Sequence, residues 1–272
     1  MSDVGTETLR GRIRALAGLL ALALVCCAVP AQAQISIEQL ELRFAANSGA
    51  AALAPQSFRI NNVSDAPVQV TIRLADWDRS ITGENRYYEP GSQPSTCAAA
   101  LAVFPMTLRI EQGRAEDVRV SVDSNAASPC HSLLFVEMPP PPATVTKGAN
   151  MTYNLRYGIK VYVEPELAPA GEIVEASVTT AQTDSGRADT LHAIFRNTGL
   201  VQAIARGYVE VRREDDSVAS RVPVADFPVL GGAVRKLPVA LPALSAGRYA
   251  VILFLDLGTD ELLAAQALLD IP

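Results

Sequence analysis

The sequence predicts an all-β chain built as two immunoglobulin-like β-sandwich domains in tandem, on three observations. Apolar and polar residues alternate in short runs, turn-forming residues separate those runs every eight to fifteen positions, and no long helical stripe interrupts them. With 272 residues, 49% of them hydrophobic and 19% charged, the chain has the apolar surface to fold and the length for two domains. Aromatic residues are only 6% and net charge is −6, a balance that argues against nucleic acid as a partner.

Residues 1–33 are set apart from the rest by composition. Arg10, Arg12 and Arg14 precede an apolar stretch from Ala15 to Ala28, and Ala31-Gln32-Ala33 follows, the small-x-small pattern read by signal peptidase. The stretch is shorter than the ~20 residues that span a bilayer. It reads as a secretory signal cleaved after Ala33. Cys26 directly before Cys27 disfavours a lipoprotein signal.

In an exported protein the two remaining cysteines, Cys97 and Cys130, meet an oxidising compartment. A disulfide is the default expectation, stabilising by roughly 4 kcal/mol on the chain-entropy model. Two free thiols, or a metal site that recruits His131, are the alternatives. His192 is the only other histidine and neither CxxC nor HxxxH spacing occurs, so no metal and no other cofactor is expected.

In the first half, strands are expected near Ile35–Phe44, Gln56–Asn62, Pro67–Trp77, Val103–Glu111, Ala115–Val122, Ser132–Met138 and Met151–Val163. Breakers between them include Asn61-Asn62-Val63-Ser64-Asp65, Gln112-Gly113, Ser128-Pro129 and the run Pro139 to Pro142. Seven short strands over about 130 residues are the pattern of an immunoglobulin-like sandwich, placed at residues 34–165. Glu166 to Gly171 reads as a short, stiff linker. A second sandwich over 166–272 is expected from runs near Ile173–Thr180, Thr190–Arg196, Arg206–Arg212, Ser217–Val222, Ala233–Val239, Gly247–Asp256 and Leu262–Ile271. The leucine and alanine content of the last run equally suits a short helix.

The first half carries an ordered series of short matches to one family. Phe58-Arg59-Ile60-Asn61-Asn62 is followed by Ala66-Pro67-Val68-Gln69-Val70 and closes on Asp76-Trp77. Val103-Phe104-Pro105 with Leu108-Arg109-Ile110 and Gly113, then Val118-Arg119-Val120, then Ser132-Leu133-Leu134-Phe135-Val136 with Met138-Pro139, continue the series. Gly158-Ile159-Lys160-Val161-Tyr162-Val163-Glu164-Pro165 ends it and is the most specific piece. In order and spacing these segments resemble the periplasmic pilus-assembly chaperones, the PapD-like family.

The resemblance implies a non-enzymatic periplasmic chaperone that binds and stabilises pilus or fimbrial fibre subunits by donor-strand complementation, a mode of strand addition. Its implied partners are pilin-like subunits, with an outer-membrane usher left open. The family's donor residues fall on Met151, Tyr153 and Leu155, counted back from Lys160. The sequence supports this on its own terms, because Met151 to Tyr157 alternates large apolar with polar residues and so presents one apolar face. The rival reading turns that row toward the domain's own core.

Lys160 is one of only three lysines after the signal, with Lys147 and Lys236, and it lies inside an apolar run where a charge needs a partner. By resemblance it anchors the subunit's C-terminal carboxylate together with an arginine on the first strand. That arginine position falls on Glu41, which would repel a carboxylate, and Arg43 is the nearest cation on the same face. Glu41 therefore motivates a second reading, a PapD-like secreted scaffold or adhesion protein without chaperone activity. A secreted enzyme is a third. Neither His131 beside Cys130 nor His192 supplies a nucleophile–base constellation, and Asp76 and Asp78 around Trp77 read as a strand end before a glycosidase pair.

Overall fold

The computed structural model describes residues 34–46, 53–123, 126, 128–139, 155–184 and 186–272, and the reading of residues 1–33 lies outside them. Every long element is a strand. In the first half β1 (Ile35–Ile37), β3 (Gln56–Asn62), β8 (Ala115–Val122) and β6 (Leu101–Phe104) form one sheet in the order β1-β3-β8-β6. Facing it is a second sheet, ordered β2-β10-β9-β4-β5. It is made of β2 (Glu41–Ala45), β10 (Arg156–Glu164), β9 (Cys130–Glu137), β4 (Val68–Arg79) and β5 (Asn85–Tyr88), with β7 (Thr107–Ile110) paired to β4.

The second half repeats the plan. One sheet is β11 (Gly171–Thr183), β12 (Gly186–Asn197) and β15 (Val234–Ala240). The other runs β14 (Val218–Val229), β13 (Ala203–Arg213), β16 (Gly247–Asp256) and β17 (Leu262–Ile271). Each pair of sheets encloses its own apolar core. Phe58, Ile60, Val118 and Val120 meet Leu42, Val70, Leu134 and Val161 in the first, and Leu191 and Phe195 meet Val209, Val251 and Leu253 in the second. Alternation along each strand sends these side chains inward and their neighbours out. We place the division between the sandwiches after Pro165, just beyond the end of β10.

Three expected elements differ in detail. The first expected strand, Ile35–Phe44, is two strands in opposite sheets: β1 pairs antiparallel with β3, and after a bend β2 pairs parallel with β10. Val103–Glu111 is likewise divided, because Pro105, with no N–H to give a ladder, separates β6 in one sheet from β7 in the other. The Leu262–Ile271 run is strand β17, which buries Ala267, Leu269 and Ile271 at alternate positions against the core; tertiary packing decides what propensity leaves open.

The same asparagine device closes a strand in each sandwich. Buried Asn62 donates from Nδ2 to the Ala66 and Ile110 carbonyls at 2.8 and 3.0 Å and accepts from the Ser64 amide at 2.9 Å. Asn197 donates to Val201 and Val229 at 2.8 and 2.9 Å and accepts from the Gly199 amide at 2.9 Å. Each side chain thus satisfies backbone groups that a turn would otherwise leave buried and unpaired. Cys97 and Cys130 form the expected disulfide, with Cα atoms 5.3 Å apart across a separation of 33 residues. Replacing both with alanine is expected to lower unfolding free energy by about 2–4 kcal/mol in urea titrations, with native circular dichroism retained.

Candidate functional site

The outer face of the β2-β10-β9-β4-β5 sheet holds the anchor candidates singled out by sequence, Lys160 and Arg43, together with Glu41. Register sets them in rows: Glu41 lies beside Lys160, Lys160 beside Leu133 and Leu133 beside Ala75. Two residues further along the strands, Arg43 lies beside Tyr162, Tyr162 beside His131, and Trp77 beside Tyr87. Trp77 and Tyr162 are fully buried although they face away from the first core, because the second sandwich covers them with Leu230. Their rings meet edge to face at 5.9 Å, and His131 meets Trp77 at 5.4 Å.

Polar bonds lock this seam. The Gln202 amide donates to Glu164 Oε1 at 2.8 Å, and its side-chain Nε2 donates to the Tyr162 hydroxyl at 3.0 Å. Burial pushes the Tyr162 hydroxyl pKa up, so it stays neutral. The Lys236 amide donates to the Ile81 carbonyl at 2.8 Å, joining β15 to the turn after β4. On the Glu164 side the seam opens into a cavity of about 330 Å³ lined by Asp78, Arg79, His131, Glu164, Leu230 and Gly232.

Lys160 is half-buried on this face, with Nζ 4.8 Å from the centre of the Trp77 ring. Among the described residues no carboxylate pairs with it within salt-bridge distance. Burial lowers its pKa first, then the Arg79 charge; Glu41 works the other way. Arg43 is on the same face but engaged: it pairs with Glu41 at 3.0 Å and Glu164 at 3.1 Å, donates to Gln202 Oε1, and stacks over Tyr162 at 4.3 Å. Its guanidinium braces the seam and neutralises the glutamate next to Lys160.

Along β10, Ile159, Val161 and Val163 are buried in the first core, and Tyr157 packs at its margin with its hydroxyl donating to the Ile35 carbonyl at 3.1 Å. Leu155 has the same parity but is 47% exposed, so the apolar row continues past the end of the sandwich. Met151 and Tyr153 lie outside the described residues. Pairing adds an asymmetry. β9 pairs with β10 from Arg156 to Val163, whereas β2 pairs with it only from Lys160 to Glu164. On its β2 side, the Arg156–Ile159 half of β10 therefore has no ladder partner among the described strands.

The acidic pair around Trp77 is structural. Asp76 is fully buried and accepts from the Gln93 amide at 3.0 Å and Thr96 Oγ1 at 2.6 Å, while Asp78 holds Arg86 at 2.6 and 2.7 Å. Among the described residues no group of three or more His, Cys, Asp or Glu side chains is placed to hold a metal ion. Sequence reading missed Gln202, Arg79 and Leu230. None carries a local signal, since each matters only through a contact across the seam.

Searches against family models and against curated proteins return no match. The chain is similar to solved structures of fimbrial chaperones. The class 5 fimbriae chaperone CfaA is 13% identical, covering 88% of this chain and 99% of its own, at a TM-score of 0.48. A chain from the chaperone–tip adhesion subunit pre-assembly complex of the archaic Csu pili of Acinetobacter baumannii is 13% identical over 86% and 98%, at 0.45. A chain from the Salmonella enterica SafA pilin complex with the SafB chaperone is 10% identical over 89% and 99%, at 0.43. At such distances the assignment of architecture rests on the strand pairing itself.

A depressed lysine pKa means the folded state holds the ammonium at a disadvantage. Below the folded pKa that penalty is fully present, and it fades as pH rises toward the unfolded value of 10.5, so stability climbs through this window. Lys160→Met is expected to be more stable than wild type at pH 7, with the gap closing as pH approaches 10. Urea midpoints measured from pH 7 to 10 check it.

Proposed function

We propose that the protein is a periplasmic chaperone that captures fibre subunits by strand addition to β10, as the segment-by-segment resemblance implies. One observation carries the reading: the apolar row of β10 runs off the sandwich beside an edge that no described strand covers, and a lysine with no carboxylate partner among the described residues stands at the base of that edge. A subunit lacking a strand has the complementary need, an apolar groove and an open edge.

Charge selects the direction of the guest strand. β2 runs parallel to β10 and begins opposite Lys160. A guest strand continuing that line parallel to β10 ends its chain at Lys160, where its terminal carboxylate meets the ammonium. An antiparallel guest would bring an ammonium there instead, and like charges in a half-buried site repel. Arg43 serves the same site indirectly, by holding Glu41 away from the incoming carboxylate. That pairing removes the chief motive for a scaffold without chaperone activity. Donor side chains are Met151, Tyr153 and Leu155, export depends on residues 1–33, and the chemistry is binding alone.

Wild type and Lys160→Ala, used as bait in periplasmic extract, are expected to differ in recovery of a small secreted β-sandwich subunit by about tenfold or more. Extending the recovered subunit by one residue past its C-terminus should have the same effect on wild type. Equal capture by both baits would overturn the anchor. Leu155→Asp separates the donor row from the core: with the side chain already exposed, its unfolding midpoint should match wild type while capture falls. A Leu155→Asp protein that unfolds alone would assign the residue to the chaperone's own core instead.

A further inference from the structure

One residue of the second sandwich, Gln202, bonds into the first at three points, and together they decide where the Arg43 guanidinium stands. Its amide donates to Glu164 Oε1 at 2.8 Å, its Nε2 donates to the Tyr162 hydroxyl at 3.0 Å, and its Oε1 accepts from Arg43 Nη2. A guanidinium offers only donors, so the side-chain oxygen of Gln202 must be the atom that faces it. The bond to Glu164 Oε1 leaves the other oxygen of that carboxylate, Oε2, to accept from Arg43 Nη1 at 3.1 Å. Gln202 therefore sets two of the three acceptors that hold Arg43. It is buried, whereas the third acceptor, Glu41, is exposed.

That third acceptor is the one that matters beside Lys160. Arg43 Nη2 also donates to Glu41 Oε2, at 3.0 Å, with the two side chains 42% and 44% exposed. An ion pair so exposed is weak by itself. Glu41 has a second cation beside it, since it lies opposite Lys160 across the β2–β10 ladder and on the same face. Of the charges acting on Lys160, Arg79 and Arg43 disfavour the ammonium and Glu41 favours it. Once Arg43 loses its place, Glu41 is free to turn to Lys160 and fill the position an incoming carboxylate needs.

We propose that Gln202 is a positioning residue of the subunit site: by pinning Arg43 it keeps Glu41 off Lys160, so the carboxylate anchor is complete only when the second sandwich is docked. The inference rests on the reading of Lys160 as the anchor, and it gives the second sandwich a part in binding besides covering Trp77 and Tyr162. Docking and subunit affinity are then coupled, and by linkage a carboxylate bound at Lys160 favours the docked seam.

Two readouts separate this role from plain packing. Gln202→Met keeps the backbone bond to Glu164 and the length of the side chain but removes the acceptor for Arg43. Subunit capture should fall by about threefold to tenfold, and adding Glu41→Gln should restore it, because the freed carboxylate is the cause. A loss that Glu41→Gln leaves unrestored would reduce Gln202 to packing. The second readout needs no subunit. With only three lysines after the signal, the Lys160 side chain can be followed by NMR. Its pKa should rise by about half a pH unit in Gln202→Met and fall back in the double variant; an unchanged value would overturn the relay whatever becomes of the chaperone reading. Should Gln202→Met fail to fold, Arg43→Met takes its place in the capture assay: the same loss and the same rescue by Glu41→Gln are expected, and unimpaired capture would overturn the relay.

Discussion

Strand β10 is buried on both faces at Val161 to Val163, and the rest of the molecule is arranged around that fact. Val161 and Val163 enter the first core, while Tyr162 between them enters the seam against Trp77 and Leu230. A strand covered on one side only would alternate apolar and polar residues; here the alternation lapses because a second sandwich supplies the other cover. Removing that cover would expose two large rings at once. The polar bonds of Gln202 to Tyr162 and Glu164 make the docking specific in angle as well as apolar. Since Lys160 lies two residues before Tyr162 on the same face, the docking that buries the tyrosine also sets how deeply the lysine stands.

The charges of the seam are unequal by construction. Glu41 and Glu164 are both taken by Arg43, Asp78 by Arg86, and Asp76 by the backbone and hydroxyl of the loop at 93–96. Lys160, Arg79 and Arg235 are left without carboxylates among the described residues. Surface ion pairs contribute little, about 0–1 kcal/mol each, so the Arg43 pairs matter less for stability than for where they leave the negative charge. With Glu41 engaged, the field at Lys160 favours an anion.

Much of this was legible in the sequence where a residue's role is local. The period-two pattern located most strands to within a few residues, and the Asn62 and Asn197 turns were marked by their own composition. The last strand of the first half was expected at Met151–Val163, and β10 at Arg156–Glu164 agrees with it over the described residues. Roles decided by distant partners were not legible. Nothing in Glu41-Leu42-Arg43 says that the arginine will swing to Glu164 and Gln202, more than a hundred residues away. Strand β5 was missed because Asn85–Tyr88 is exposed through most of its length and so lacks the alternation that burial imposes. Trp77 read as a strand end and proved to be the floor of the seam, since its cover comes from the other sandwich.

The features that point to function are those that stabilise the isolated fold least. Among the described residues, a half-edge of β10 without a ladder partner invites uncontrolled strand pairing, an apolar row beyond the core adds exposed hydrocarbon, and a half-buried ammonium without a carboxylate is held at a penalty. None is needed to close either sandwich, which the two cores, the asparagine turns and the disulfide do without them. All three fall within six residues, from Leu155, just before β10, to Lys160 within it. A structural explanation would have to account for each separately, whereas a guest strand that pairs with the edge, covers the row and ends in a carboxylate satisfies all of them at once.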